Sequence, residues 1–277
     1  MQKIALVIGG LIFSAAAFAG TSDIRAANNQ ISIQTISTNV DYTETYGGAI
    51  LDTETGDVPG YAVSISTMTG DNNRYLEAEY EHTNGTTNYV GGLIGPPATP
   101  YGSVIGTDGA TMTNYSGRLG RGIVLDSTQT DSDLMFMLTP YAELGHHKWD
   151  RAVNYGETYT NDYFALGLLW QASAVNSKLV VSANAMLGST FRSKIVVNSG
   201  AGLTGFSGAL GNSTFYKIGL SADYPFSEHF HGNVGVDYTS FDYSMSGGVP
   251  AGAGLVTFEP SSSTIYTTIK LGLGFSF

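Results

Sequence analysis

The end of the chain alternates without a break. From Thr264 to Phe277 the odd positions read Ile265, Thr267, Ile269, Leu271, Leu273, Phe275 and Phe277, and the even ones Thr264, Tyr266, Thr268, Lys270, Gly272, Gly274 and Ser276. A period of two places successive side chains on opposite faces of a strand, so one face here is apolar and the other polar or small. About ten residues of such a strand, tilted, are enough to cross a bilayer. The same alternation recurs over residues 134–144, 163–171, 179–192, 216–224 and 230–238, with Leu144, Phe164, Trp170, Leu187, Ile218, Leu220, Val234 and Val236 on the apolar faces. Four weaker runs follow the same rule: Ile36, Val40 and Tyr42; Tyr61, Val63 and Ile65; Leu76, Ala78 and Tyr80; and Tyr115, Leu119, Ile123 and Leu125.

Ten strands result, an even number that leaves both chain ends on one side of a membrane. The pattern predicts an all-β fold, a closed antiparallel up-and-down transmembrane β-barrel of ten strands, with eight or twelve as alternatives. Short links at residues 70–73, 126–133, 174–177 and 225–229 carry the Asp, Asn, Ser and Gly of turns. Longer links at 46–59, 89–112, 150–158, 196–212 and 244–263 alternate with them. Short periplasmic turns and long external loops are the expected asymmetry, which puts five loops outside the cell.

Composition agrees with two solvents. Charged residues are 13 % of the 277 and the mean hydropathy is +0.02, greasier than a soluble domain on the first count and far less so than a helical membrane protein on the second. No cysteine is present, which excludes disulfides and thiolate metal sites. A formal net charge of −11 disfavours nucleic acid as a partner, since phosphate neutralisation needs clustered cations. At the start, Lys3, the apolar run from Ile4 to Phe13 and the Ala17-Phe18-Ala19 pattern predict a signal peptide over residues 1–19, cleaved between Ala19 and Gly20. Residues 20–34 are then a periplasmic segment and 35–277 the barrel.

Candidate chemistry lies on the polar faces. Projected inward, these carry Asp41, Glu77, Glu79, Glu81, Glu143, Asp223 and Asp237 with Arg118, Arg192, Lys194, Lys217 and Lys270. A ten-stranded lumen is little wider than its side chains, so opposite charges are expected to pair across it and close the bore. Arg118, on the strand beside Glu77, Glu79 and Glu81, is their best partner. His147 is expected to face inward and His146 outward, and Asp150 nearby makes His147 a candidate for general-base chemistry at the rim. Arg121 falls on the lipid face, tolerable only close to a headgroup region.

The terminal strand ending on Phe277, with Leu273 and Phe275, resembles the assembly signal that outer-membrane barrels present to their insertion machinery. The chain as a whole is similar to the small outer-membrane barrel proteins of the OmpX, OmpA-barrel and opacity-protein type. That resemblance implies a non-enzymatic surface or envelope-structural protein of the Gram-negative outer membrane, touching lipid and lipopolysaccharide, with no cofactor and with loops that could meet a surface ligand. A narrow channel and a rim hydrolase or lipid A modifying enzyme are the alternatives. Omptin proteases are similar in size and strand number, but their site needs an Asp-x-His pair, and this sequence has none. The His-x-Ser of barrel-type lipid A deacylases is also missing.

Overall fold

The computed structural model describes residues 21–92, 99–125, 134–174, 177–200, 204–252 and 255–277. Ala19, Gly20 and the turn expected at 126–133 lie outside them. Ten long antiparallel strands form the wall: β1 (Gln30–Tyr46), β2 (Ala49–Thr69), β3 (Arg74–Gly91), β4 (Val104–Arg121), β5 (Leu134–Arg151), β6 (Glu157–Ala174), β7 (Val180–Val197), β8 (Thr214–Pro225), β9 (Phe230–Tyr243) and β10 (Ser261–Ser276). Each pairs with the next, and β10 returns to pair with β1, so the sheet is closed and has no edge. Short strands extend it: Ile123–Leu125 continues β4 beside β5, and Phe206–Ala209 adds to the upper end of β7. A separate hairpin joins Val249–Gly252 to Leu255–Thr257. Both described chain ends share one end of the barrel, the lower end, with the links between β2 and β3 and between β8 and β9.

The strands run 12 to 21 residues, longer than a bilayer requires. Their outer faces divide accordingly. Near the lower end lies an apolar belt that includes Ile31, Ile33, Val63, Ile65, Leu76, Leu144, Leu166, Leu168, Leu187, Leu220, Leu271 and Leu273, all exposed. Trp170, Tyr224, Phe230 and Phe275 edge it below, and Tyr61, Tyr80, Tyr115, Tyr216 and Tyr238 edge it above, as aromatic side chains do at membrane–water boundaries. Above those tyrosines the outer faces turn polar, as with Asn39, Asp41, Asn84 and Asp242. There the apolar side chains point inward instead: Val40, Tyr42, Trp149, Tyr159, Ile195, Phe241 and Tyr243 are all buried.

This inversion corrects the expected orientation of the first strand. β1 begins at Gln30 rather than Thr35, and its register against β10 (Ile31↔Phe275, Ile33↔Leu273) turns odd residues outward. Ile36, Val40 and Tyr42 therefore face the interior, and Asp41 is exposed rather than luminal. Residues 46–59 are not a long loop either. Gly47 and Gly48, at φ 58° and 85°, close a two-residue hairpin, a conformation that glycine adopts without Cβ strain, and β2 starts at Ala49.

Two glycines explain how wide aromatic side chains fit the interior. Tyr141 and Tyr163 lie across from Gly167 and Gly145 in register, and a Cβ on either glycine would stand 2.3 Å from the facing ring. The rings occupy the space that the glycines leave.

Candidate functional site: a lumen stopped at three levels

At the lower mouth the segment before β1 is a helix, α1 (Thr21–Ala27), folded across the opening. Ile24 is fully buried, and Asn28 donates to Gln171 Oε1 on the opposite wall at 2.7 Å. Arg25 Nε donates to Asn73 Oδ1 at 2.9 Å. Gln30 donates to Asp223, whose second oxygen meets His231 Nδ1 at 2.6 Å. The segment expected as plain periplasmic chain, residues 20–34, is thus, from Thr21 on, a plug followed by the first strand residues. Above the plug lies a polar chamber of about 170 Å³, room for a few waters by volume.

The second level is ionic. Lys270 Nζ reaches Glu79 at 3.0 Å, Asp237 at 3.1 Å and Glu81, while Lys217 Nζ lies 3.2 Å from Asp237. Arg118 bridges Glu77 at 3.2 Å and Glu143, with its guanidinium 5.1 Å from the Tyr141 ring. Tyr163 donates to Glu143 at 2.6 Å, and Tyr75 donates to Glu77. Three cations thereby hold five carboxylates. Pairing across a narrow lumen gives these charges their compensation, because each would be costly alone in this interior. A smaller chamber of about 60 Å³ lies above, roofed by His147, Phe241 and Tyr266.

The third level is in the part that rises above the belt. Arg151 is fully buried; its Nε donates to Glu54 Oε1 at 2.6 Å, Nη1 to Glu157 Oε2 at 2.9 Å and Nη2 to Asp52 Oδ2 at 3.5 Å. The guanidinium also lies 4.6 Å from the Tyr42 ring and 5.2 Å from that of Trp149. Glu44, Asp108 and Glu259 complete a ring of six carboxylates, each buried. Burial, with Asp52 beside it, pushes Glu44 up to about 8. Burial raises Asp52 to about 6 against the pull of Arg151, and burial with Glu54 raises Asp108 to about 7. Glu259 is held well above the ordinary range by burial and by Glu44, and accepts a hydrogen bond from Tyr159. Protonation thus answers much of the charge that one arginine cannot.

Of the residues singled out in the sequence, Glu77, Glu79, Glu81, Arg118, Glu143, Lys217, Asp237 and Lys270 meet in the second level, and Asp223 lies near the plug. Arg192 and Lys194 do not join them. A bulge opposite Thr160 and Asp162, with Arg192 at φ +53°, reverses the alternation of β7, so both side chains point outward; that of Arg192 is 76 % exposed and pairs with Asp162. His147 faces inward, its Nδ1 2.6 Å from Asn114 Oδ1, while Asp150 faces outward against Lys148 and Thr158. The rim acid–base pair is therefore not assembled. Arg121 is exposed and bonds Asn72 in the lower turn, clear of the belt's middle. Among the described residues no group of three His, Asp or Glu side chains is placed to hold a metal ion.

The third level is hidden in the sequence because Arg151 and five of its six carboxylates, Asp52, Glu54, Asp108, Glu157 and Glu259, fall in the segments that read as long links. A signal was present. Tyr42 and Glu44, Asp52 and Glu54, Trp149 and Arg151, Glu157 and Tyr159 are all spaced two apart, which sets each pair on one face of a strand.

Similar architecture exists among solved structures. The outer membrane protease OmpT from Escherichia coli superposes with a TM-score of 0.50 at 9 % identity, covering 95 % of this chain and 99 % of that one. The fold is that of a bacterial outer-membrane β-barrel. OprG from Pseudomonas aeruginosa (TM-score 0.37, 12 % identity, 95 % and 98 % covered) and Neisserial surface protein A (0.33, 9 %, 89 % and 97 %) are more distant. No family model and no curated protein matches the sequence. At these identities the likeness speaks for the fold of the outer-membrane barrel alone.

Proposed function

We propose that this outer-membrane barrel is a closed, non-enzymatic envelope protein whose working surface is its exterior: five extracellular hairpins and the lipid-facing wall. The carrying observation is the lumen stopped at three levels, by α1, by the Lys270 and Arg118 networks and by the Arg151 ring. The Lys270, Arg118 and Arg151 levels are built on buried ion pairs, so opening a path through them would leave charges unpaired. The lower end is periplasmic in this reading, the chain is exported with cleavage after Ala19, and Leu273, Phe275 and Phe277 are offered to the insertion machinery. Leu273 and Phe275 are exposed on the outer face of β10, and Phe277, just past its end, is exposed too.

In planar bilayers the reconstituted, folded barrel is expected to give a flat current. Discrete conductance steps would refute closure. They would favour a narrow channel instead, a reading that draws support from the two chambers flanking the Lys270 level. Incubation with peptide and lipid A substrates, with His147→Ala and Asp150→Ala as controls, is expected to show no turnover; turnover lost in those variants would overturn the non-enzymatic assignment.

A further inference from the structure

Above the apolar belt, the barrel's outer face is polarised in a way that closure of the lumen does not call for. On β5 the outward residues after Leu144 are His146, Lys148 and Asp150; on β6, after Phe164, they are Asp162 and Thr160; on β7, past the bulge, they are Arg192 and Lys194. The register sets Lys148 beside Thr160 and Thr160 beside Lys194, so two lysines flank a threonine across three adjacent strands. Strand spacing of about 4.8 Å puts those lysine backbones about 10 Å apart. One step lower, His146 lies opposite Asp162, and Arg192 pairs with that same carboxylate.

The charges here do not cancel. Lys148 meets Asp150 at 2.6 Å, and Asp162 is shared between Arg192 and His146 Nδ1 at 2.7 Å. That leaves three permanent cations against two carboxylates. In a chain of net charge −11, no other Lys or Arg among the described residues is exposed on the upper outer wall. Arg74, Arg121 and Lys178 are at the lower rim, Arg25 is on α1, and Arg118, Arg151, Lys217 and Lys270 are inside. The upper outer faces of β1, β2 and β9 instead carry Asp41, Asp57 and Asp242. The bulge at Arg192 is what turns two of the three cations outward; without it, the parity of β7 would aim both into the lumen.

Directly below stand the large apolar side chains Leu144 and Phe164, exposed at 60 and 46 %, and one row further down, past Ser189, stands Leu187, exposed at 63 %. Tyr115 stacks on His146 at 4.8 Å and closes the side towards β4. Cations with mobile stems set immediately above exposed apolar side chains match a molecule that has a phosphorylated head and acyl tails. An amphiphile so oriented meets both solvents of the wall at once.

We infer that the outward face of β5, β6 and β7 is a binding site for a phosphorylated glycolipid headgroup of the outer leaflet, held by Lys148, Arg192 and Lys194 with its acyl chains against Leu144, Phe164 and Leu187. Phosphate oxygens replace Asp150 and Asp162 as partners of Lys148 and Arg192, and Lys194 adds a contact of its own. The site lies outside the lumen and does not depend on whether the lumen conducts.

The test is lipid retention by the full-length folded barrel in neutral detergent, read by native mass spectrometry during titration with bis-phosphorylated lipid A. The variant carrying Arg192→Gln and Lys194→Gln is expected to bind about tenfold more weakly, while Arg74→Gln with Arg121→Gln at the lower rim is expected to match the unaltered protein. Dephosphorylated lipid A is expected to bind the unaltered protein no better than phosphorylated lipid A binds the outer-rim variant. Equal binding by the outer-rim variant, equal loss in the lower-rim variant or indifference to dephosphorylation would each overturn the assignment. Displacement of lipid A by inorganic phosphate at matching concentration would also overturn it, in favour of a free-anion site. Unheated gel mobility shows that each variant is a folded barrel before it is scored.

Discussion

Replacing Arg151 with methionine tests the third level where its charge balance is most lopsided. The guanidinium is fully buried and serves Glu54, Glu157 and Asp52, of which Glu54 is itself fully buried. Removing one partner of a buried pair costs about 3–5 kcal/mol, because the carboxylate left behind keeps its desolvation penalty without compensation. The guanidinium also lies over Tyr42 and Trp149, so the loss belongs at the upper end of that range. A guanidinium chloride midpoint should fall by about 0.8–2.5 M, taking slopes of about 2–6 kcal/mol per molar. Trp149 is the local reporter, and with Trp170→Phe in the background it is the sole tryptophan of the chain. The pH dependence sharpens the test. Glu44, Asp52 and Asp108 stand at about 8, 6 and 7 in the folded barrel, above the ordinary carboxylate range, so the fold binds their protons more tightly than the unfolded chain does. Their contribution to stability is complete below about pH 4 and is lost as pH rises through 6 to 8. Without Arg151 these carboxyls rise further, so the variant should lose most at pH 8 and much less at pH 5, where they stay protonated and can donate hydrogen bonds. An unchanged midpoint at pH 8, or an equal loss at both pH values, would refute the argument.

Two further outcomes follow from the other levels. Ile24→Asp buries an unpaired carboxylate under α1, which should release the helix from the lower mouth; trypsin should then cut after Arg25 many times faster with the rest of the barrel intact, and an unchanged rate would show that Ile24 does not hold the plug. Gly167→Val drives a branched side chain into the Tyr141 ring, which a Cβ would already approach to 2.3 Å, so a loss of about 1–3 kcal/mol is expected in urea unfolding, with Gly106→Val, where a Cβ meets nothing, as the neutral comparison.

How far the fold could be read from the sequence depended on which solvents a strand separates. β10 was legible because its C-terminal half lies between lipid and a polar lumen: Ile269, Leu271, Leu273 and Phe275 point out while Lys270 and Gly272 point in. β1 was misread because it leaves the belt after Ile33. From there its outward residues are Thr35, Ser37, Asn39 and Asp41, and its apolar ones pack inside. Alternation reports that two faces differ and is silent on which of them meets lipid. The same silence hid the third level, where Asp52, Glu54 and Glu157 look like loop residues until the apolar core around Tyr42 and Trp149 is known. The bulge at Arg192 carries no local sign at all, since it is not glycine that takes the positive φ.

The inversion of polarity along the strands also accounts for where the acid excess is kept. Within the belt the wall faces lipid, so every charge on those strands must turn inward, and three cations there hold five carboxylates with the help of tyrosine hydroxyls. Above the belt the outer face is wet and could have carried carboxylates freely, as it does at Asp41, Asp57 and Asp242. Six are nonetheless buried around one arginine, in surroundings that lift the proton affinity of at least Glu44, Asp52, Asp108 and Glu259. A pore built for cations would gain from those carboxylates ionised and hydrated; buried against Trp149, Tyr159 and Tyr243 they are neither freely hydrated nor fully ionised near neutral pH. The arrangement has the physics of a cap, one that loosens as protons leave it.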